Sequence, residues 1–338
     1  MNKSYRRFLP AAAALMFLLP TFQAFSPFLP LSAQTQNARR QTMRYTTNDQ
    51  RRYVMLDDIA RIYRMNFRLT KTGALLYNKQ SKIEFFYNKR AGSIDGVTVY
   101  FLYPILLKGG RAYLSEMDFN KILEPVFREQ SLKAHRVKVI MLDPGHGGKD
   151  KGAPGPVQDE KTINLSIAKK LETALKAKGY TVVMTRRSDV FPSLQDRAEL
   201  CEKIRPDLFV SIHCNATANK QVSGIETYLA TPAGAASTSD SAPSKTVSPA
   251  NKTDPNNFRL AYEIQRALIS STKAKDRGVK HGRLYVVRNA VCPAVLIETG
   301  FLSNYREGRA LTWKERQDTI VAAVVLGIAR YSAAMKKE

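Results

Sequence analysis

The sequence predicts an α/β protein whose mainly parallel sheet carries helices on both faces and is preceded by a small α+β domain. Short apolar runs at residues 137–142, 208–212 and 294–297 have the length and composition of buried parallel strands. Apolar residues at helical spacing follow the first run, between residues 160 and 178. Repeated strand–helix units of this kind favour a parallel sheet with helices packed on its two faces.

Composition and local patterning divide the 338-residue chain into five segments. Residues 1–33 have a basic start, an apolar run and a small-residue cleavage site, which together predict a signal peptide. Residues 34–44 are polar and basic and predict a linker. The rest of the chain is expected to form a small α+β accessory domain at 45–130, a connector at 131–136 and a larger α/β domain at 137–335.

The chain is strongly basic, with a formal charge of +24 from 53 Lys and Arg against 29 Asp and Glu. An excess of this size predicts an anionic partner, for which anionic polymers of the cell envelope are one candidate. The basic residues are spread along the chain without a nucleic-acid-binding motif, so nucleic acid is not an expected partner. Three cysteines without a CxxC spacing argue against a cysteine zinc site and a disulfide framework.

Potential metal ligands follow the predicted parallel strands where those strands end. His146, His213 and Glu298 each come at or just after the end of one of the three apolar runs. The carboxyl ends of parallel strands meet at one edge of the sheet, and ligands bind at that edge. The pattern therefore predicts a catalytic metal site that contains two histidines and a glutamate.

Five short motifs occur in order between residues 137 and 331. They are Asp143–Gly148 (DPGHGG), Glu160 with Asn164-Leu165, Thr185-Arg186, Ser211-Ile212-His213 with Asn215-Ala216, and Glu298 with residues 300–304 (GFLSN). Together they resemble the zinc-dependent N-acetylmuramoyl-L-alanine amidases of bacterial cell walls. One such motif is weak evidence, because a histidine after a strand is common, whereas the ordered set is specific.

The resemblance implies that residues 137–335 are a catalytic domain with zinc ligands His146, Glu160 and His213. A His₂Glu set with an open coordination position is typical of catalytic zinc, which lowers the pKa of bound water to about 7. Glu298 matches the catalytic carboxylate of the family. It is expected to take a proton from the water and pass it to the departing amine.

Other positions in this domain carry weaker expectations. Asn215 is expected either to contact substrate or to fix the turn after its strand. Arg197 matches a family position, with substrate contact and anchoring of a helix to the sheet as the two interpretations. His281 is expected at the surface, residues 231–256 as an exposed loop, and residues 284–287 as a strand.

The predicted accessory domain has strand-then-helix patterns at residues 53–63 and 112–123, with short alternating segments between them. It resembles the small α+β domain at the N-terminus of copper amine oxidases. The segment has no histidine and no glycine-rich phosphate loop, so binding or positioning is a more natural role for it than catalysis.

The resemblance implies an exported hydrolase that acts in the periplasm or outside the cell. Its reaction would be the cleavage, by zinc-activated water, of the amide between N-acetylmuramic acid and L-alanine in peptidoglycan. Two alternatives stay open: a zinc peptidase that cuts within the stem peptide, and a non-catalytic wall-binding relative with the same fold. The sequence also leaves a protein activator open.

Overall fold

The computed structural model describes residues 43–240 and 242–335, which belong to one compact unit. The predicted signal peptide and all but the last two residues of the predicted linker lie outside the described residues. Within the described ranges, no helix is both long and apolar enough to cross a membrane.

The N-terminal segment, residues 43–136, is rich in short strands. Its strands are β1 (Tyr45–Asn48), β2 (Arg51–Met55), β3 (Asn66–Leu69), β4 (Gly73–Tyr77), β5 (Lys82–Phe86), β6 (Ala91–Ile94), β7 (Val97–Tyr100), β8 (Leu106–Lys108) and β9 (Arg111–Ser115). Its helices are α1 (Leu56–Ile62), α2 (Glu116–Asp118) and α3 (Glu124–Phe127), with a π-helical turn at Phe119–Leu123 and a 3₁₀ turn at Glu129–Ser131.

The remaining residues alternate strands and helices. The strands are β10 (Val139–Pro144), β11 (Thr181–Met184), β12 (Leu208–Asn215), β13 (Ile225–Ala230), β14 (Asp276–Gly282) and β15 (Ala294–Phe301). The helices are α4 (Glu160–Ala177), α5 (Leu194–Ile204), α6 (Asp254–Thr272), α7 (Tyr285–Arg288), α8 (Tyr305–Ala310) and α9 (Lys314–Ala334), with a 3₁₀ turn at Pro249–Thr253.

The larger sheet has the strand order β11-β10-β12-β15-β13-β14-β7-β6-β5-β4-β3. Strands β11, β10, β12 and β15 are parallel neighbours, as predicted, whereas β13 runs antiparallel to β15. Beyond β7 the sheet is antiparallel, and β1, β2, β9 and β8 form a separate four-stranded sheet. The predicted α/β class is therefore confirmed, with a mixed sheet at its centre.

Helices cover both faces of the parallel strands, which confirms that part of the prediction. Successive residues of β10 point to opposite faces, so Ile140 and Leu142 belong to one apolar core and Met141 to the other. Helices α4, α6 and α9 pack together on the first face, and α5 packs with α7 on the second. Ser193 begins α5 with a capping box, in which its hydroxyl accepts from the amide of Asp196.

The N-terminal segment continues the larger sheet instead of lying apart from it. Strand β7 runs parallel to β14 with Val99 opposite Val279, and the amide of Thr98 donates to Asp276 at 2.6 Å. Tyr262 of α6 also donates to the carbonyl of Ile94. One apolar core includes residues from both segments. The division into domains at 45–130 and 137–335 stays a prediction.

Three local expectations were wrong near this junction. Residues 285–288 are the helix α7, and the strand comes earlier, at β14. His281 is 1% exposed, because it stacks on Phe258 in a region that β7 covers. Residues 235–237 in the expected exposed loop are buried, since Arg90 donates to the carbonyls of Ala236 and Ser237. All three depend on contacts between residues far apart in sequence, which local patterns do not contain.

Candidate metal centre

The chain turns sharply after β10 and brings His146 next to His213. His146 has φ of 60°, a left-handed conformation that non-glycine residues rarely adopt and that is frequent at functional sites. Gly145 lies so close to His213 that a Cβ atom there would be 2.1 Å from the imidazole ring. The two imidazoles meet edge to face with their centroids 4.9 Å apart. Glycine at position 145 therefore makes room for the pair.

Glu160, the first residue of α4, joins the two histidines. Its Oε2 lies 3.1 Å from His146 Nε2, and its Oε1 lies 2.9 Å from His213 Nδ1. One ligand atom from each of the three side chains lies within 4.8 Å of the other two. Two imidazoles and a carboxylate are the donor set of many catalytic zinc sites, so the residues present fit a zinc ion.

The Glu160 carboxylate is held by several donors. The backbone amides of Cys214 and Ala153 donate to its two oxygens at 3.0 and 2.8 Å. Burial opposes ionisation of this side chain, but hydrogen bonds from His146 and His213 outweigh burial and lower the pKa of Glu160. The carboxylate is therefore held in its ionised form by two imidazoles and two backbone amides.

Asp150 orients His146 from the opposite side of the ring. Its Oδ2 lies 2.8 Å from His146 Nδ1, while His146 Nε2 faces Glu160. A carboxylate on the outer nitrogen of a metal-binding histidine fixes its tautomer and ring orientation. Sequence reasoning missed Asp150. The available signal was an acidic residue four positions after His146 within a glycine-rich loop.

Arg197 lies beneath the loop that carries His146. It is 3% exposed, and its Nη1 donates to Asp143 Oδ1 at 2.5 Å and to the carbonyl of Pro144 at 2.9 Å. Its Nη2 donates to the carbonyl of His146 at 2.9 Å. Burial opposes ionisation of Asp143, but the charge of Arg197 and further hydrogen bonds lower the Asp143 pKa. These contacts make Arg197 an anchor for the loop, and a contact with substrate stays a prediction.

Glu298 extends from β15 on the same face as His213, because the two residues are partners across the β12–β15 ladder. Its side chain is half-buried, and its Oε2 is buried without a hydrogen-bond partner among the described residues. Burial, and then the charges of Glu160 and Glu226, raise the pKa of Glu298 well above its usual range. A carboxylate with one free oxygen beside the ligand cluster is placed to exchange a proton with a water there.

Asn215 ends β12, two residues after His213. Its Nδ2 donates to Glu226 Oε1 at 2.7 Å, and its Oδ1 accepts from the amide of Ala216. Both contacts fix the end of the strand, and a contact with substrate stays a prediction. Sequence reasoning missed Glu226, although an acidic residue inside the apolar run of β13 was a signal that the position is unusual.

Residues 140–330 match the family model described as N-acetylmuramoyl-L-alanine amidase. The match covers more than half of the chain and includes every element from β10 to most of α9. The chain therefore belongs to the N-acetylmuramoyl-L-alanine amidase family. The motifs that resembled this family in the sequence all lie within the matched region.

Among curated proteins, the chain is similar to the N-acetylmuramoyl-L-alanine amidase LytC of Bacillus subtilis (strain 168), with 34% identity over 67% of this chain and 40% of LytC. It is also similar to AmiC of Escherichia coli O6:H1, with 31% identity over 58% of this chain and 53% of AmiC. The chain thus spans about half or less of these two relatives. The solved CwlD amidase of Clostridioides difficile, in complex with the GerS lipoprotein, matches with 30% identity and a TM-score of 0.50, over 58% of this chain and 98% of CwlD.

Proposed function

We propose that this protein hydrolyses the amide between the lactyl group of N-acetylmuramic acid and L-alanine in peptidoglycan, with zinc bound by His146, Glu160 and His213. The observation that carries the proposal is the His/Glu/His cluster within a region that matches the amidase family. LytC and AmiC, to which the chain is similar, are both named as N-acetylmuramoyl-L-alanine amidases.

The chemistry that zinc supplies when bound is activation of water and polarisation of the amide carbonyl. The protein's own residues orient the ligands and move the proton. Asp150 and Glu160 hold the His146 ring from its two nitrogens. Glu298, with its free Oε2, receives the proton of the attacking water and delivers it to the nitrogen of the departing L-alanine.

The test is mass spectrometry of purified peptidoglycan incubated with the protein, with and without a chelator, and again after zinc is added back. We expect free stem peptides that begin at L-alanine, loss of this product with chelator, and its return with zinc. Fragments cut inside the stem peptide would contradict the amidase assignment and favour the zinc peptidase. Binding to peptidoglycan without any cleavage, at several zinc concentrations, would favour the non-catalytic relative.

The proposal includes export to the periplasm or the cell wall, since the predicted substrate is found there and residues 1–33 read as a signal peptide. It also includes attraction of the basic chain to anionic envelope polymers. That attraction predicts that binding to isolated cell walls weakens between low and high salt. Equal binding at both salt concentrations would remove this part of the proposal.

A protein activator is a separate part of the proposal. Its support is the CwlD relative, which was solved in complex with a lipoprotein. If the purified protein cleaves peptidoglycan as fast alone as it does with cell extract added, the activator is removed from the proposal. The amidase assignment would not be affected.

A further inference from the structure

A second acidic residue lies directly across the sheet from Glu298. Glu226 of β13 is the antiparallel ladder partner of Glu298, and its side chain is 2% exposed. Side chains of such partners have Cβ atoms about 4.5–5.5 Å apart, and like charges at this spacing repel each other. Two neighbouring carboxylates at the centre of a sheet therefore need an arrangement of cations that keeps both in place.

The cations come from β14 and bind Glu226. Lys280 Nζ and Arg277 Nε both contact Glu226 Oε2, the arginine at 3.1 Å. Glu226 Oε1 accepts from Asn215 Nδ2 at 2.7 Å and from the Tyr228 hydroxyl at 3.0 Å. With four side-chain donors, both oxygens of Glu226 are satisfied, as a buried carboxylate requires.

Aromatic rings hold the two cations on the Glu226 side. The Lys280 ammonium lies 5.6 Å from the ring centre of Tyr228 and 5.7 Å from that of Tyr100, and the Arg277 guanidinium lies 4.9 Å from that of Phe301. A cation within about 6 Å of a ring face is attracted to it. Tyr100 belongs to β7, so the N-terminal segment contributes one of these rings to the active-site side of the sheet.

Glu298 has none of these partners, although Lys280 is near enough for its charge to act on the Glu298 pKa. A lysine close to two carboxylates pairs with the one that offers the better geometry. Here Glu226 has that geometry, and Glu298 Oε2 stays without a partner. The free oxygen is the one that the proposed proton transfer uses.

We propose that Glu226 is a positioning residue for the hydrolysis: it binds Lys280 and Arg277 so that neither pairs with Glu298. The inference rests on the proposed function of Glu298. Without the carboxylate of Glu226, Lys280 turns to Glu298, and the resulting ion pair draws Glu298 away from the ligand cluster. A displacement of about 1 Å at a reacting group is enough to reduce turnover about a hundredfold.

The experiment measures kcat and KM on a soluble muramoyl-peptide for a set of variants of the purified, zinc-loaded protein. For E226Q we expect kcat to fall about tenfold to a hundredfold with KM little changed, because the Glu226 side chain is 2% exposed and offers almost no surface to a substrate. For E226Q/K280M we expect kcat to rise again at least about tenfold above E226Q, since the lysine that captures Glu298 is gone.

A matched control is E263Q. Glu263 is also a buried, ion-paired carboxylate, with Arg259 Nε at 2.9 Å, but it belongs to α6 on the opposite face of the sheet. We expect E263Q to unfold at a lower temperature and to keep its kcat. If E226Q and E263Q lose similar stability but only E226Q loses kcat, the loss of kcat comes from positioning and not from general destabilisation.

Three results would overturn the inference: an E226Q variant with the original kcat, a loss confined to KM, or a double variant no more active than E226Q. If E226Q does not fold, the double variant decides, because it removes the half-buried Lys280 together with its partner and leaves only Arg277, whose side chain is 27% exposed, without Glu226. A folded double variant as inactive as E298Q would then contradict the inference. Full activity of E298Q would instead contradict the proposed function itself.

Discussion

Glu160 and Glu298 lie beside the same histidine and have opposite environments. Glu160 contacts both imidazoles and accepts from two backbone amides, and these hydrogen bonds lower its pKa against the effect of burial. Glu298 has a buried oxygen without a partner among the described residues, and burial together with neighbouring acids raises its pKa. One carboxylate is held as an ion, and the other is left able to take up a proton.

The difference follows from where the two residues stand in the fold. Glu160 lies where the loop after β10 meets the end of β12, and the amides of Ala153 and Cys214 from these two segments donate to its carboxylate. Glu298 stands inside a strand, where the backbone groups bond to the neighbouring strands and offer its side chain nothing. The comparison therefore supports the proposed roles, in which Glu160 binds the metal and Glu298 transfers the proton.

Replacement of the free carboxylate should have the largest effect. E298Q keeps the size and shape of the side chain but removes the group that exchanges a proton, so kcat should fall about 10²–10⁴-fold. The rate of stem-peptide release, measured in samples quenched at successive times, gives this loss. Circular dichroism is the control for folding. Turnover within about threefold of the original protein would break the comparison, because the free oxygen would then have no role in proton transfer.

Removal of the anchor under the His146 loop should affect stability next. In R197M, Asp143 stays buried without its cation, which typically lowers the free energy of unfolding by about 3–5 kcal/mol. The matched control is R187M, because Arg187 is an exposed ion-pair partner of Glu172 and its loss should cost about 0–1 kcal/mol. Denaturant unfolding that gives equal losses for both variants would contradict the anchoring role.

A smaller effect is expected at the outer nitrogen of His146. D150N keeps the shape of the side chain but removes the charge that orients the ring, so zinc affinity should fall about 10–100-fold. Competition with a chromophoric chelator measures the affinity. D189N is the control, because Asp189 binds the nearby Lys161 and does not touch His146. Unchanged zinc affinity in D150N would show that Glu160 alone fixes the ring.

The smallest expected effect is a pH dependence of stability that comes from His281, a buried histidine away from the metal centre. Burial, and then the charge of Arg90, lower the pKa of His281 to about 3, whereas a histidine in the unfolded chain titrates near 6.5. The unfolded state therefore binds the extra proton, and stability is lost as the pH falls below about 6.5, by up to about 1.4 kcal/mol per pH unit.

The corresponding measurement is the free energy of unfolding of the original protein and of H281Q at pH 7, 6 and 5. The free energy of unfolding should depend less steeply on pH in H281Q, by the amount that corresponds to about one bound proton. This expectation holds whatever the stability of H281Q at pH 7. Equal slopes would show that His281 is protonated to the same extent in both states.

The strand-end pattern in the sequence predicted that His213 and Glu298 lie close together. They do so because β12 and β15 are neighbouring parallel strands. The resemblance to the amidases supplied Glu160 at the first position of α4. Local pattern was sufficient for His213 and Glu298, because each comes at the end of an apolar run in the sequence, whereas Glu160 required the resemblance. The sequence could not show that Gly145 approaches His213 so closely, since that contact joins two strands far apart in the chain.

The sequence did not predict the β13–β14 side of the site. Strand β13 reads like the parallel strands in composition, and its reversal is visible only in its pairing with β15. Glu226 therefore had no predicted partner, although the structure places it opposite Glu298 and next to two cations. The extension of the sheet by β7 was equally invisible, because the contacts of Val99 with Val279 and of Thr98 with Asp276 join residues far apart in the sequence.

The most direct test of the account is the zinc content of E160Q and E298Q after dialysis, measured together with turnover. We predict that E160Q loses both zinc and activity, whereas E298Q retains zinc at the level of the original protein and loses activity. Retention of zinc by E160Q, or loss of zinc by E298Q, would contradict the division of roles between the two carboxylates.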